Sequence, residues 1–319
     1  MTRGVWRWGR YVASFATVGV LVWRLGTGPF IEGIRTVDAR ALAAAFGLAV
    51  LTTVCCAWRW TIVARGLGAH LSLPAAVAAY YRSLFLNVTL PGGVVGDVHR
   101  GISHGRELSD VGRALRAVAW ERFAGQVVQA VLTVAVLLVL PSPVHAYMPL
   151  VAAGLVVALA CLAVLGRREP RGGRSIWTKI RSAVAGDLRN VVLARRAWLG
   201  IALASAIVVV GHAVTFLIAA RTAGITASPA RVLPLALLVM LVMVVPSVGG
   251  WGPREGGSAW AFAAVGLGAG RGVTTAVVYG VMVLVASLPG AAVLVVSWSR
   301  HIRLSDRTER RIGEEALRV

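Results

Sequence analysis

The chain has 319 residues, 57% of them hydrophobic and only 14% charged, with a formal net charge of +20 and a mean hydropathy of +0.75. Globular domains carry about 25% charged residues, so these values exclude a soluble domain and specify a polytopic, all-α membrane protein. A surplus of this size would suggest nucleic acid in a soluble protein. Here the arginines gather where the chain leaves apolar segments and no basic face with interleaved aromatics occurs, so no nucleic-acid partner is expected.

In chain order, Arg3, Arg7 and Arg10 precede an apolar run that ends at Arg24. No small-residue cleavage site follows it, so 9–26 is expected to be a first, uncleaved span rather than a signal peptide. A second span covers 39–64, where Arg59 between Trp58 and Trp60 has the look of an interfacial anchor. Cys55 and Cys56 lie inside this span and Cys161 inside another; they read as small apolar filler, with no metal-ligand or disulfide spacing. The next apolar segment, 74–90, runs into Pro91, Gly92, Gly93 and Gly96, followed by Asp97, His99 and Arg100.

A third span, 114–140, opens on Glu121 and Arg122 and continues with Gln126, Gln129 and Thr133 at helical spacing, a polar stripe that belongs toward a bundle interior. It either lines a headgroup path or bonds helix to helix. The charge-free loop 141–146 leads to a span at 147–165. The segment 167–196 is a strongly basic linker with Ile176, Ile180, Val184, Leu188 and Val192 on one stripe, as in a helix lying on an anionic leaflet. A span at 198–220 holds Ser205 and His212. The segment 229–245 meets a second break at Pro246, Gly249, Gly250 and Gly252, then Pro253, Arg254 and Glu255. A last span, 272–298, precedes a charged tail, 300–319. The chain thus divides into a membrane domain at 1–299, with the linker inside it, and this tail.

Positive charge in the N-terminus, the linker and the tail, and none in 141–146, places both termini and the linker in the cytoplasm. Six full spans satisfy that parity only if 74–90 and 229–245 each enter and leave by one face. These two segments resemble each other: Pro74 and Pro91 are separated by the same interval as Pro229 and Pro246, Pro-Ala opens both, and a glycine-rich break closes both. Three spans lie between them, so the two re-entrant hairpins point in opposite directions. Such inverted repeats with broken helices mark secondary transporters; two short interfacial helices are the alternative.

Ionisable residues at membrane depth are costly and mark pathways or paired sites. The candidate substrate-binding residues are Asp97, Arg100, Glu121, Arg122, Gln126, Gln129, Arg254 and Glu255. Pro253 suits the first position of a helix whose free N–H groups, with Arg254, form an anion site; alternatively Arg254 and Glu255 pair with each other or with Asp97 and lock the hairpins. His212 either joins the stripe or is a packing residue. Asp97, His99 and His104 make a weak metal set, so no metal is expected, no cofactor is expected, and no nucleophile elbow, phosphate loop or zinc-protease helix occurs.

The stretches AWRW at 57–60, FLNVTLPGGVVGDVHR at 85–100, WERFAG at 120–125 and VPSVGGWGPREGG at 245–257 together resemble the flippase-like membrane region of lysylphosphatidylglycerol synthases. The resemblance implies a flippase-type fold in a bacterial inner membrane, with hairpins meeting in a lipid-accessible cavity. In full-length relatives this region moves aminoacylated phospholipid between leaflets, and a separate soluble domain attaches the amino acid. The tail here is too short to fold such a domain, so the synthase activity is not expected. His99 and Gly101 depart from the family's motif. The expectation is therefore a translocase, not an enzyme, for an anionic or zwitterionic phospholipid or polyprenyl-phosphate type of lipid, with Arg254, Arg122 and Arg100 on phosphate and Asp97, Glu121 and Glu255 positioning them or pairing with a cationic headgroup. Its rivals are a membrane subunit that docks a separately encoded transferase and an intramembrane transferase.

Overall fold

A computed structural model describes residues 16–90, 93–167, 184–189, 195–244 and 251–316, with side chains for all of these except 166–167, 195–196 and 298–316. The regular structure among the described residues is helical, without a strand. In chain order the helices are α1 (Ala16–Leu25), α2 (Gly28–Arg35), α3 (Ala39–Gly66), α4 (Leu73–Thr89), α5 (Val95–Glu107), α6 (Val111–Val139), α7 (Met148–Arg167), α8 (Arg195–Thr222), α9 (Pro229–Val242), α10 (Pro253–Ala264) and α11 (Ala269–Ala316). A short helical turn at 184–187 lies between α7 and α8.

Among the described residues five helices are long and apolar enough to cross a membrane: α3, α6, His145–Leu165 around α7, Ala197–Thr222 of α8, and Ala269–Ser297 of α11. These match five of the six expected spans. Of the sixth, 9–26, only α1 is described, and the rest lies outside the described residues. Of the break residues, Pro91, Gly92, Pro246, Gly249 and Gly250 also lie outside them. Beyond its apolar part α11 continues without interruption into the charged tail as far as Ala316.

Local chemistry sets the boundaries. Asp38 caps α3 by accepting from the Ala41 N–H at 2.6 Å, and Asp110 caps α6 from the Arg113 N–H at 2.9 Å. Prolines stand in the first two positions of α4, α9 and α10, where no N–H partner is lost. At the two breaks the chain turns on Gly93, with φ of +64°, and on Gly252, with φ of +96°, a region open to glycine at no steric cost.

The packing shows a repeat larger than the two broken segments. Two successive runs, α3-α4-α5-α6 and α8-α9-α10-α11, have the same plan: long helix, shorter helix, break, short helix, long helix. Exchanging each helix with its counterpart maps the contacts onto one another. Helix α3 packs on α8; α4 packs on α11 as α9 packs on α6; α5 packs on α6 as α10 packs on α11; and α3 packs on α6 as α8 packs on α11. Even the preceding helices correspond, since α2 packs on α11 and α7 on α6. The core obeys the same exchange. One cluster joins Trp60, Val63, Tyr80 and Ala117 with Ile201 from the start of α8; the other joins Phe216, Leu235, Phe262 and Tyr279 with Ala41 and Ala45 from the start of α3.

Lipid tails are as apolar as leucine, so close approach of backbones, rather than exclusion of water, holds such helices together. The central α3–α8 contact fits this. Gly211 lies against Thr52, and Gly200 against Ile62 and Trp58. Gly290 of α11 touches the backbone of Tyr81 on α4, with no space for a Cβ. Outward-facing Leu150, Val156 and Val157 on α7 are exposed, as suits a lipid-facing flank.

Candidate functional site

The centre of the first run is a buried ion network. Glu121 is fully buried in the first half of α6. Its Oε1 accepts from Arg59 Nη2 at 2.5 Å, Arg59 Nε at 2.9 Å and the Tyr80 hydroxyl at 3.3 Å, while its Oε2 accepts from Arg100 Nη2 at 2.6 Å. Asp97, in the first turn of α5, accepts at Oδ1 from Ser83 (3.1 Å), Arg100 Nε (3.0 Å) and Arg122 Nη2 (2.8 Å), and at Oδ2 from Asn87 (3.2 Å). Four helices, α3, α4, α5 and α6, therefore meet in one network. Each carboxylate is saturated by donors, as a charge removed from water requires.

Small residues make the approach possible. A Cβ on Gly96 would overlap the Ser83 carbonyl, and the Gly96 N–H donates to Asn87 Oδ1 at 2.7 Å. These contacts fasten the start of α5 against α4. Gly125 on α6 leaves the space that the Arg59 guanidinium occupies. The Arg100 guanidinium lies between aromatic faces, 4.3 Å from the Tyr80 ring centroid and 4.6 Å from that of Trp60, a cation–π arrangement that compensates part of its desolvation.

Three arginines (Arg59, Arg100 and Arg122) face two carboxylates here, which leaves one positive charge without a counter-charge inside the network. That surplus borders a cavity of about 180 Å³. Its walls come from α3, α4, α6, α8 and α11 and include Arg59, Arg122, Gln126, Gln129, Ser205 and His212. The Arg122 side chain is 42% accessible and Arg122 is among the residues that line the cavity, whereas Arg100 is fully buried and does not line it. Arg122 Nε and Gln129 Nε2 are buried donors without a protein partner. Gln126, Gln129 and Arg122 line the wall together, and Thr133, farther along the stripe, is buried. His212 lines the opposite wall, with Nδ1 3.1 Å from the Tyr279 hydroxyl of α11.

Arg254 and Glu255 belong to the second run and form a separate pair. Arg254 donates to Glu255 Oε1 at 2.5 Å and 2.9 Å, and Glu255 Oε2 accepts from the Gly252 N–H at 2.8 Å. The N-terminus of α10 is thus capped by its own glutamate, and the adjacent arginine is neutralised by the same group. The Arg254 guanidinium lies 5.2 Å from the Trp251 ring centroid and fills the space beside Gly280 of α11. Of the two readings of this pair, the geometry has mutual pairing; Asp97 is engaged elsewhere, and neither residue lines the cavity.

Sequence reasoning misplaced Arg59. It is 4% exposed and bonds Glu121 and Ser205, so it is an interior ion-pair partner rather than an interfacial anchor. Its flanking tryptophans gave the wrong signal, because Trp60 packs in the core. Tyr80, Ser83 and Asn87 were also missed; their spacing of three and four along α4 is the signal that places them on one face. His99 is exposed, and no group of three metal-ligating side chains occurs among the described residues.

Comparison with known proteins gives one family. The profile described as the lysylphosphatidylglycerol synthase TM region matches residues 11–290, and no curated protein matches the chain. The chain belongs to that family.

Proposed function

We propose that this member of the lysylphosphatidylglycerol synthase transmembrane family is a lipid translocase, moving a phosphate-bearing lipid between the leaflets of the inner membrane and leaving it chemically unchanged. The observation that carries this reading is the uncompensated arginine charge on the wall of an interhelical cavity. A charge at such depth is retained where it serves a pathway, and a phosphate oxygen is its natural counter-ion. Drug-sized ligands fill pockets of roughly 300–1,000 Å³. A cavity of about 180 Å³ suits a headgroup, with acyl chains left in the surrounding lipid.

The packing symmetry supports an alternating mechanism. If α4-break-α5 and α9-break-α10 are re-entrant, then α3, α6, α7 and α8 cross in succession, and α3 and α8 run in opposite directions. The two runs are then an inverted repeat, the architecture in which one half rocks against the other around a central site. Both termini and the linker face the cytoplasm in this reading. In a cysteine-free background, Pro143→Cys is expected to react with an impermeant thiol reagent from outside and Gly172→Cys only from inside; the reverse pattern overturns the orientation.

The direct test is leaflet exchange of headgroup-labelled phospholipids in proteoliposomes, read as the fraction quenched by an impermeant reductant. Protein-dependent exchange is expected. Exchange no faster than in empty liposomes across a broad panel defeats the translocase reading, and a soluble transferase that co-purifies with the chain would then favour a docking subunit. Covalently altered lipid would show an intramembrane transferase.

A further inference from the structure

We infer that the cavity selects headgroups by charge, taking an anionic phosphodiester whose remaining polar groups are hydroxyls and rejecting one that carries an ammonium group. The inference rests on the translocase reading and adds the chemical class of its substrate.

Among the described residues the cavity wall contains Arg59, Arg122, His212, two glutamines and several hydroxyl residues, and no aspartate or glutamate. The two carboxylates nearest to it, Asp97 and Glu121, are withheld. Glu121 is fully buried with Arg59 and Arg100 bonded to it, and Asp97 accepts from Ser83, Asn87, Arg100 and Arg122. An ammonium headgroup entering the cavity would meet a surplus positive charge and have no anion to pair with. Burying a cation under those conditions is opposed both by lost hydration and by like-charge repulsion.

A phosphate meets the opposite situation. Arg122 has one nitrogen bonded to Asp97 and its Nε unpartnered, and Gln129 Nε2 is a second unpartnered buried donor on the same wall. Neither atom presents accessible surface in this conformation, so a phosphate reaches them as the Arg122 and Gln129 side chains turn toward it, and it then satisfies donors that are otherwise left wanting. Beyond them, Gln126 and Ser205 offer groups that both donate and accept. Ser205 Oγ already accepts from Arg59 Nη1 at 2.9 Å, so its own proton is available to a hydroxyl of the headgroup. Such a wall matches a glycerol or sugar headgroup on an anionic phosphodiester, and not the lysyl-bearing lipid in the family's name.

The test uses the full chain in proteoliposomes with three labelled lipids: phosphatidylglycerol, phosphatidylethanolamine and lysylphosphatidylglycerol. Exchange of phosphatidylglycerol is expected to be at least tenfold faster than that of the lysyl lipid, with the ethanolamine lipid between them. Equal or faster exchange of the lysyl lipid overturns the charge selection while leaving translocation standing; no exchange of any of the three defeats the translocase reading itself. Gln129→Glu adds a carboxylate to the wall with almost no change of shape. It should narrow the preference or reverse it, and a preference unaltered in the folded variant overturns the assignment of selectivity to the wall. If that variant does not fold, the wild-type lipid order alone decides.

Discussion

The two runs α3–α6 and α8–α11 share a packing plan and differ in charge. In the first, three arginines surround two carboxylates at the edge of a cavity; in the second, Arg254 and Glu255 cancel each other away from it. Both place an acid and an arginine early in the helix that follows the break, and both seat a guanidinium against a glycine of a long helix, Gly125 in one and Gly280 in the other. The shared features serve to fasten the broken segments. What the first run adds is a second carboxylate, Glu121, and two further arginines, a net surplus of one positive charge, beside a cavity whose remaining walls come from α8 and α11 of the second run.

The largest effect that separates the halves is on stability. Glu121→Gln strips Arg59 of its counter-charge and leaves Arg100 with Asp97 alone, and should cost about 3–5 kcal/mol, the range for breaking a buried ion pair. Glu255→Gln leaves only Arg254 without its partner and should cost less. Thermal unfolding in detergent, followed by loss of monodisperse protein, ranks them. Equal losses would mean that the first network is no more deeply committed than the second pair.

A smaller effect concerns the two broken segments. Gly96→Ala drives a Cβ into the backbone carbonyl of Ser83, whereas Gly257→Ala meets only the Val242 side chain, at 3.3 Å. Rigid backbone cannot yield as a valine side chain can, so Gly96→Ala should cost about 1–3 kcal/mol and Gly257→Ala less than about 1 kcal/mol. The same unfolding assay reads both, and the opposite order would remove the close α4–α5 seat from the account.

Much of the architecture is legible in the sequence, because hydrocarbon thickness and hydropathy fix span length. Five spans, the two Pro-Gly breaks and the stripe of Arg122, Gln126 and Gln129 follow from that physics. The repeat was visible only as two similar broken segments. Its extension to four helices each is written in contacts such as α4 on α11 and α9 on α6, which leave no periodic trace in one sequence. The site was legible by residue and not by partnership. Arg59 and Glu121 stand 62 positions apart, and nothing local reveals that Gly125 makes room for the guanidinium. The position of Arg254 beside a proline-started helix pointed equally to an anion site and to a self-contained pair. Only the direction of the Glu255 side chain separates the two.

The central claim is that the surplus charge at Arg122, and not the balanced pair of the second run, carries the lipid headgroup. It is tested most directly by phosphatidylglycerol exchange in proteoliposomes holding equal amounts of folded Arg122→Gln or of the double variant Arg254→Gln with Glu255→Gln. Replacing both partners of a buried pair by neutral groups leaves no charge stranded. The account predicts that Arg122→Gln falls to the rate of empty liposomes while the folded double variant keeps more than about half of the wild-type rate, because neither of its residues lines the cavity. Exchange that survives in Arg122→Gln, or is lost in the double variant alone, would contradict it.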